Sequence, residues 1–447
     1  VQLSSAARRG RITDATPKAV VRPPLRFEEA LVRHRKAAVM DDGFPPLETP
    51  MSNVLFLGSP SHGHVNPTLG LIHELVRRGE QVTYFSSLPF KERIAAAGAT
   101  FKAYAHDLDM FKGPPAPGRP SAMLGVFEHG AETLADIFAQ TQYRRFHYLV
   151  HSAPFPFAKP IARLLGVPTV SSLAVFAGLE PFFQRDAKAT HPMLAPNPTR
   201  DAVIRQAAAA ISTRFGVEVS TDFRDWIFNP GDLNLIYTSR LFAGDLPHFD
   251  DSYVYVGPPV HERKETVDFP LERIVGKRVL YISLGTVFGS RDLTLYRAFF
   301  DAFARWDGVV VMAAYGVDTT AWRVPANFIV RPYVPQGEIL KHATAAITHA
   351  GMNSISDLLA AELPFVCLPL GADQPALAAR AQALGAAISL DPASVTAEQL
   401  AQAVDRVLGE PSWRANIRAI AESFRTAGGY PKAVDEIFRL KRERRIA

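Results

Sequence analysis

The chain has 447 residues, of which 47% are hydrophobic and 21% charged, and its formal net charge is +5. That length holds two or three domains with ample cores, and no apolar run approaches the roughly 18 residues of a membrane-spanning helix. The charge points to no nucleic-acid partner: residues 1–39 hold nine Lys or Arg against three Asp or Glu, and the remainder hold 40 against 41.

Residues 1–50 carry Pro17, Pro23, Pro24, Pro45, Pro46 and Pro50 and show no sustained helical or strand period. They read as a disordered arm. Met40 and Met51 both precede the first good strand, so the arm is expected to be an upstream extension. Its first residues have no apolar signal-peptide core. The lone cysteine, Cys367, lies in an apolar strand pattern, so no disulfide within the chain is possible. Together these features are expected of a cytoplasmic protein.

Asn53–Ser59 reads as the first buried strand, followed by a loop, Pro60-Ser61-His62-Gly63-His64-Val65-Asn66-Pro67. Leu69, Leu71, Ile72, Leu75 and Val76 then recur at helical spacing until Gly79. Gln81–Ser86 and Tyr148–His151 are strands, Ile161–Leu165 is a helix, and Val167–Ser171 is a strand. Residues 104–130 and 172–230 are less regular. Phe155, Phe157, Phe176, Phe182 and Phe183 are candidates for core or for an apolar ligand wall. Phe249–Lys277, rich in Pro, Gly and charge, reads as a linker between an amino-terminal half at 51–248 and a second half at 278–425. In the second half, Val279–Leu284 is a strand ending at Gly285-Thr286. A helix is predicted over Leu295–Trp306, strands over Val309–Met312 and Phe328–Val330, then the turn Tyr333-Val334-Pro335-Gln336 and a short helix to Lys341. Helices over Ala397–Leu408 and Ser412–Phe424 follow, and residues 426–447 hold a last helix with a basic end. The fold class is therefore α/β, with two facing Rossmann-like doubly wound domains and a cleft between them.

The densest chemistry lies at 345–375. An apolar strand, Ala345–Thr348, ends in His349-Ala350-Gly351-Met352-Asn353-Ser354, and a helix begins near Ser354. A second strand, Phe365–Pro369, ends in Asp373-Gln374. A helix N-terminus attracts phosphate through free N–H groups and its dipole, and Gly351 allows close backbone approach. His349, Asn353 and Ser354 add neutral donors, and Asp373 and Gln374 suit sugar hydroxyls. This convergence points to a nucleotide-sugar site.

With these motifs the chain resembles the UDP-glycosyltransferase superfamily, and within it the bacterial macrolide-type branch that glycosylates small aglycones. The resemblance runs from about Asn53 to Leu440. It rests on an ordered series: His-Gly-His-Val-Asn-Pro at 62–67, Asn-Pro-Gly-Asp-Leu at 229–233, Tyr-Thr-Ser-Arg at 237–240, Tyr-Ile-Ser-Leu-Gly-Thr at 281–286, Tyr-Val-Pro-Gln at 333–336, Thr-His-Ala-Gly-Met-Asn-Ser at 348–354, Ala-Asp-Gln-Pro at 372–375 and Ala-Gly-Gly-Tyr at 427–430. It implies a GT-B type fold, an inverting, metal-independent mechanism with no cofactor, a UDP-sugar donor held by the second half and a small apolar acceptor. It implies Tyr333 as the platform under uracil, Gln336 and Asp357 at the ribose, and His349, Asn353 and Ser354 at the pyrophosphate. Asp373 and Gln374 would hold the transferred sugar, and His64 would be the general base. Two positions depart from the pattern. Ser152 stands where a carboxylate normally orients the catalytic histidine. Asp357 stands where a glutamate is usual, one methylene longer.

General-base work suits an imidazole whose ordinary pKa lies near neutrality. His62 is the alternative base on the same loop. Gly285-Thr286 would let the loop approach phosphate. Asp107-Leu108-Asp109 has the spelling of a metal pair but reads as solvated loop, so no metal ligand is assigned; its carboxylates are the nearby candidates to substitute for the one missing at 152. Two other functions compete. Ser152 and Asp357 also fit an impaired member of the fold that binds a nucleotide sugar or apolar ligand. A nucleotide-dependent oxidoreductase fits poorly, because 58–63 reads Gly-Ser-Pro-Ser-His-Gly and not Gly-x-Gly-x-x-Gly.

Overall fold

Short apolar runs without alternation become strands buried on both faces, the pattern of parallel sheets covered by helices. The computed structural model describes residues 51–110, 121–142, 144–176, 179–183, 192–259, 268–286, 293–320 and 322–446, so the arm expected over 1–50 lies outside the described residues. The first sheet holds β1 (Asn53–Leu57), β2 (Gln81–Ser86), β3 (Thr100–Ala103), β4 (Tyr148–Ser152), β5 (Thr169–Leu173), β6 (Leu233–Ile236) and β7 (Tyr253–Tyr255). Its order is β3-β2-β1-β4-β5-β6-β7, all parallel. The second holds β8 (Val279–Ser283), β9 (Val309–Ala313), β10 (Phe328–Arg331), β11 (Ala345–Thr348), β12 (Phe365–Cys367) and β13 (Ala387–Ser389). Its order is β10-β9-β8-β11-β12-β13, again all parallel. These are two doubly wound, Rossmann-like units. Strand order reverses between β1 and β4 in one sheet and between β8 and β11 in the other, which opens a crevice at the strand carboxyl ends of each.

Several elements differ from the sequence reading. The loop expected over 60–67 is mostly helix: His62–Arg77 is helical, with Ser61 as its N-cap and Pro67 inside. Two helix breakers, Gly63 and Pro67, disguise the start of this helix, and Pro67 leaves the Gly63 carbonyl without its helical donor. Tyr253–Tyr255 falls in the expected linker but pairs with β6, a strand too short to show a period. The irregular stretches contain the helices Ala122–Glu128 and Pro198–Phe215. In the latter, Arg200, Ile204, Ala207, Ala208, Ile211 and Phe215 are buried at helical spacing, but alanine and arginine dilute the apolar stripe.

The last helix, Gly429–Glu443, returns to the first sheet. Its Ala433, Val434, Ile437 and Leu440 join a core with Val54, Phe56 and Tyr148. Lys441 is buried there, and its Nζ donates to Glu80 Oε1 at 2.7 Å. The Tyr148 hydroxyl donates to Glu80 Oε2 at 2.9 Å. From the second half, Arg380 donates to the carbonyls of Phe242 and Leu241, each at 2.8 Å. The two halves are thus tied by the returning helix and by Arg380.

Breaking a buried ion pair strands a charge, at a cost of about 3–5 kcal/mol. Lys441→Ala should therefore lower unfolding free energy by about that amount in urea titrations. An unchanged midpoint would show that Glu80 and Lys441 do not hold the returning helix.

Candidate active site

The loops after β1, β4, β8, β11 and β12 line one cleft of about 1190 Å³. That exceeds the volume usual for one small ligand and gives room for two.

On the amino-terminal wall, His64 is the third residue of its helix and lines the cleft. Burial holds its imidazole down, to about 4, so it is neutral at pH 7 and able to accept a proton. His62 lines the same wall, with its ring edge-on to Phe90 at 5.1 Å. Its pKa is lowered by burial and then by Arg93. Ser152 ends β4, is buried, and does not itself line the cleft. Its hydroxyl accepts the Ser59 N–H at 3.1 Å, which braces the turn after β1. Asp107 and Asp109 do line the cleft, and the Asp109 N–H bonds Asp107 Oδ1 at 3.1 Å. Leu88, Phe90, Phe182, Met193, Ile227 and Phe228 make the wall apolar. Of the phenylalanines singled out above, Phe182 is on that wall, whereas Phe155, Phe157 and Phe176 are core.

The opposite wall begins with two backbone turns. Ala350 has φ 65° and Ala372 φ 53°, both non-glycine residues in the left-handed region. Each costs of the order of 1 kcal/mol and is held by its surroundings. The first turn places His349 beside Gly285 and Gly351. A Cβ on either glycine would lie well inside van der Waals distance of His349 Nε2. Burial lowers this imidazole to about 4, and its Nδ1 has no hydrogen-bond partner among the described residues. The helix Met352–Ala360 starts next, with Gly351 as N-cap and no acidic residue in its first turn. Asn353 and Ser354 line the cleft at that helix start. The second turn delivers Asp373, whose carboxyl is pushed up to about 6 by burial. Gln374 also lines the cleft, and its Oε1 accepts the N–H groups of Leu370 and Gly371 at 2.8 and 3.2 Å.

Thr286, Tyr333 and Gln336 line the wall further out, and Tyr333 is 42% exposed. Asp357 differs: it lies behind Gln336, donating no surface to the cleft, and Gln336 Nε2 donates to its Oδ2 at 2.6 Å. The structure thus brings the predicted site residues to one cleft except for Ser152 and Asp357, which stand one layer back. Sequence reasoning gave no role to Tyr281 or His106, both on the cleft wall, and could not place Asp107 and Asp109, which line it too. A tyrosine within the aliphatic run of β8 was the available signal for the first.

Among the described lining residues there is no lysine or arginine. Among the described residues, no group of three or more His, Cys, Asp or Glu is arranged to hold a metal ion. An anion here would meet helix N–H groups and neutral side chains. The two walls also touch. Pro67 has no N–H for the Gly63 carbonyl, and Asn353 Nδ2 donates to that carbonyl at 3.2 Å across the cleft.

Comparison with known proteins agrees with this architecture. The family described as UDP-glucoronosyl and UDP-glucosyl transferase matches residues 274–425. The uncharacterized UDP-glucosyltransferase YojK of Bacillus subtilis is 33% identical over 396 residues, covering 87% of this chain and 97% of that protein. Demethyllactenocin mycarosyltransferase of Streptomyces fradiae is 28% identical over 410 residues, covering 87% and 86% respectively. The crystal structure of the glycotransferase of kitacinnamycin superposes with a TM-score of 0.73 at 26% identity, covering 88% of this chain and 99% of that one. The two facing Rossmann-like units are therefore a GT-B fold.

The slot for His349 makes a contrast between glycines. Gly351→Ala should overpack the site and cost about 1–3 kcal/mol in urea unfolding. Gly63→Ala, where a Cβ meets nothing within 4 Å, should be neutral. Equal effects of the two substitutions would contradict the packing described for His349.

Proposed function

Because the chain belongs to the UDP-glycosyltransferase family, we propose that it transfers a hexose from a UDP-sugar to a hydroxyl of a small apolar aglycone, with inversion and without a metal ion. It is a UDP-dependent glycosyltransferase of the branch that includes antibiotic glycosyltransferases. The proposed sugar is glucose, in line with two Bacillus subtilis relatives described as UDP-glucosyltransferases. The observation that carries the reading is one cleft with His64 on one wall and His349, Asn353, Ser354 and Asp373 on the other.

In this reading uracil stacks on Tyr333 and the diphosphate lies against the start of Met352–Ala360. Gly285 and Thr286 let the backbone come close, and His349, Asn353 and Ser354 bond phosphate oxygens. The negative charge that grows on the leaving UDP meets the helix dipole and neutral donors. Asp373 and Gln374 orient the sugar. The acceptor rests on Leu88, Phe90, Phe182 and Phe228. Its hydroxyl oxygen attacks C1 as the C1–O bond to the diphosphate breaks, and His64 takes the hydroxyl proton. A neutral imidazole with so low a pKa is a weak base, so proton transfer must accompany bond formation. Ser152 supplies no charge to strengthen it. Asp107 and Asp109 are the carboxylates on the same wall.

The absence of a carboxylate at 152 also favours a second reading, a member that binds a nucleotide sugar without efficient turnover. His64→Ala separates the two. With a working base, turnover on an aliphatic alcohol should fall by about 10²–10⁴-fold, with UDP affinity nearly unchanged. A parent that binds UDP but turns over nothing, while Ser152→Asp gains activity, would establish the second reading. An active parent whose rate survives His64→Ala would place the base elsewhere, with His62 the first candidate.

The pH profile offers a further check. Asp373 is raised to about 6, so below that pH it is protonated and no longer a pure acceptor for sugar hydroxyls. The value of kcat/KM should fall as pH drops through about 6. Asp373→Asn should remove that limb and leave only the lower one of His64, near about 4. A limb that stays in place in the Asn variant would mean that Asp373 does not act through its charge.

A further inference from the structure

Gln336 opens the short helix Gln336–Leu340 and lines the same cleft as Tyr333 and His349. Its side chain is held from two sides. The Tyr281 hydroxyl donates to Oε1 at 3.0 Å, and Nε2 donates to Asp357 Oδ2 at 2.6 Å. A carboxylate only accepts, so the amide nitrogen must face Asp357. The amide oxygen then faces Tyr281, whose hydroxyl must donate. A flipped amide would set oxygen against carboxylate. The three residues come from three separate elements: the middle of β8, the turn after β10 and the helix after β11. Tyr281 is buried, 4% exposed, so the donor is fixed by packing. The glutamine therefore surrenders its rotamer freedom before any ligand arrives.

One N–H of Nε2 and one lone pair of Oε1 remain. Side by side, they match a hydroxyl, which both donates and accepts. The position lies between the places proposed above for uracil and diphosphate, where the ribose must pass. Asp357, one methylene short of the usual glutamate, does not reach the cleft wall and works on the amide instead.

We propose that Tyr281 is a positioning residue which, with Asp357, locks the Gln336 amide as the group that recognises a ribose hydroxyl of the donor nucleotide. This rests on the reading that a UDP-sugar binds this wall. The lock makes the ribose contact depend on a tyrosine that orients the amide from the floor of the cleft. It also makes the neutral amide a recognition group whose direction the carboxylate sets.

Calorimetric titration with UDP and with 2′-deoxy-UDP tests the proposal, since the two ligands differ by one hydroxyl. The parent protein should favour UDP by about fivefold or more, the worth of one hydrogen bond. Gln336→Ala should reduce that preference to less than about twofold, and Tyr281→Phe should do the same with little change in 2′-deoxy-UDP affinity. Phenylalanine keeps the ring, so the thermal midpoint should hold. Asp357→Asn, which removes the charge that orients the amide, should give the same loss of preference and serves as the second variant if Tyr281→Phe fails to fold. Three results would overturn the proposal: no UDP preference in the parent, the parent's preference retained in Tyr281→Phe and Asp357→Asn, or equal weakening of both nucleotides, which marks a structural role. A parent that binds neither nucleotide would overturn the functional reading itself, which separates the two failures.

Discussion

The imidazole of His349 occupies a slot that exists only because residues 285 and 351 are glycine. The slot joins the ends of β8 and β11, the neighbouring strands where the order of the second sheet reverses. Filling it forces the chain through the left-handed turn at Ala350, and that turn starts the helix Met352–Ala360 at the cleft. The N–H groups of the first helical turn, Asn353 and Ser354 then face the opposite wall. The neighbouring strand repeats the device with Ala372, which sends Asp373 and Gln374 into the same space. Strain at two alanines is thus coupled to the placement of His349, Asn353, Ser354, Asp373 and Gln374, and buried packing holds it in place.

The same wall solves an electrostatic problem. Its described lining residues include no lysine or arginine, so an incoming diphosphate would be met by dipoles and neutral hydrogen-bond donors. Such donors are already oriented and need no reorganisation as charge develops on the leaving group. The facing wall is itself a helix start, His62–Arg77, with His64 in its first turn. Pro67 frees the Gly63 carbonyl in that turn, and Asn353 spans the cleft to bond it. The residue proposed to hold phosphate also links the two halves, so a phosphate bound there would compete for the amide that spans the cleft. The helix Gly429–Glu443 and Arg380 keep the halves within that reach.

Much of the site was legible in the sequence because its chemistry is local. His349, Gly351, Asn353 and Ser354 lie within six consecutive positions, and a strand–turn–helix with free N–H groups follows from their spacing. Both doubly wound units could be read from uninterrupted apolar runs. The missed parts depend on distance in the chain. Whether Ser152 faces His64 or braces Ser59 is decided by the packing of β4 against β1. Asp357 and Gln336 are 21 residues apart, and nothing local shows that one carboxylate orients the other's amide. Asp107 and Asp109 sit in a stretch without periodicity, so only the fold shows that they line the cleft. The helix Pro198–Phe215 escaped for another reason: alanine packs closely in a core but writes a weak apolar stripe.

The proposed reaction is direct displacement at the sugar carbon, with acceptor and diphosphate on opposite walls of the cleft. The most direct measurement is the anomeric configuration of the product by proton NMR, formed from UDP-glucose and a phenolic acceptor in the presence of EDTA. An α-linked donor attacked from the opposite face gives a β-glucoside, and that product should form at an undiminished rate. An α-glucoside, or loss of turnover on chelation, would contradict inverting, metal-independent transfer between these two walls.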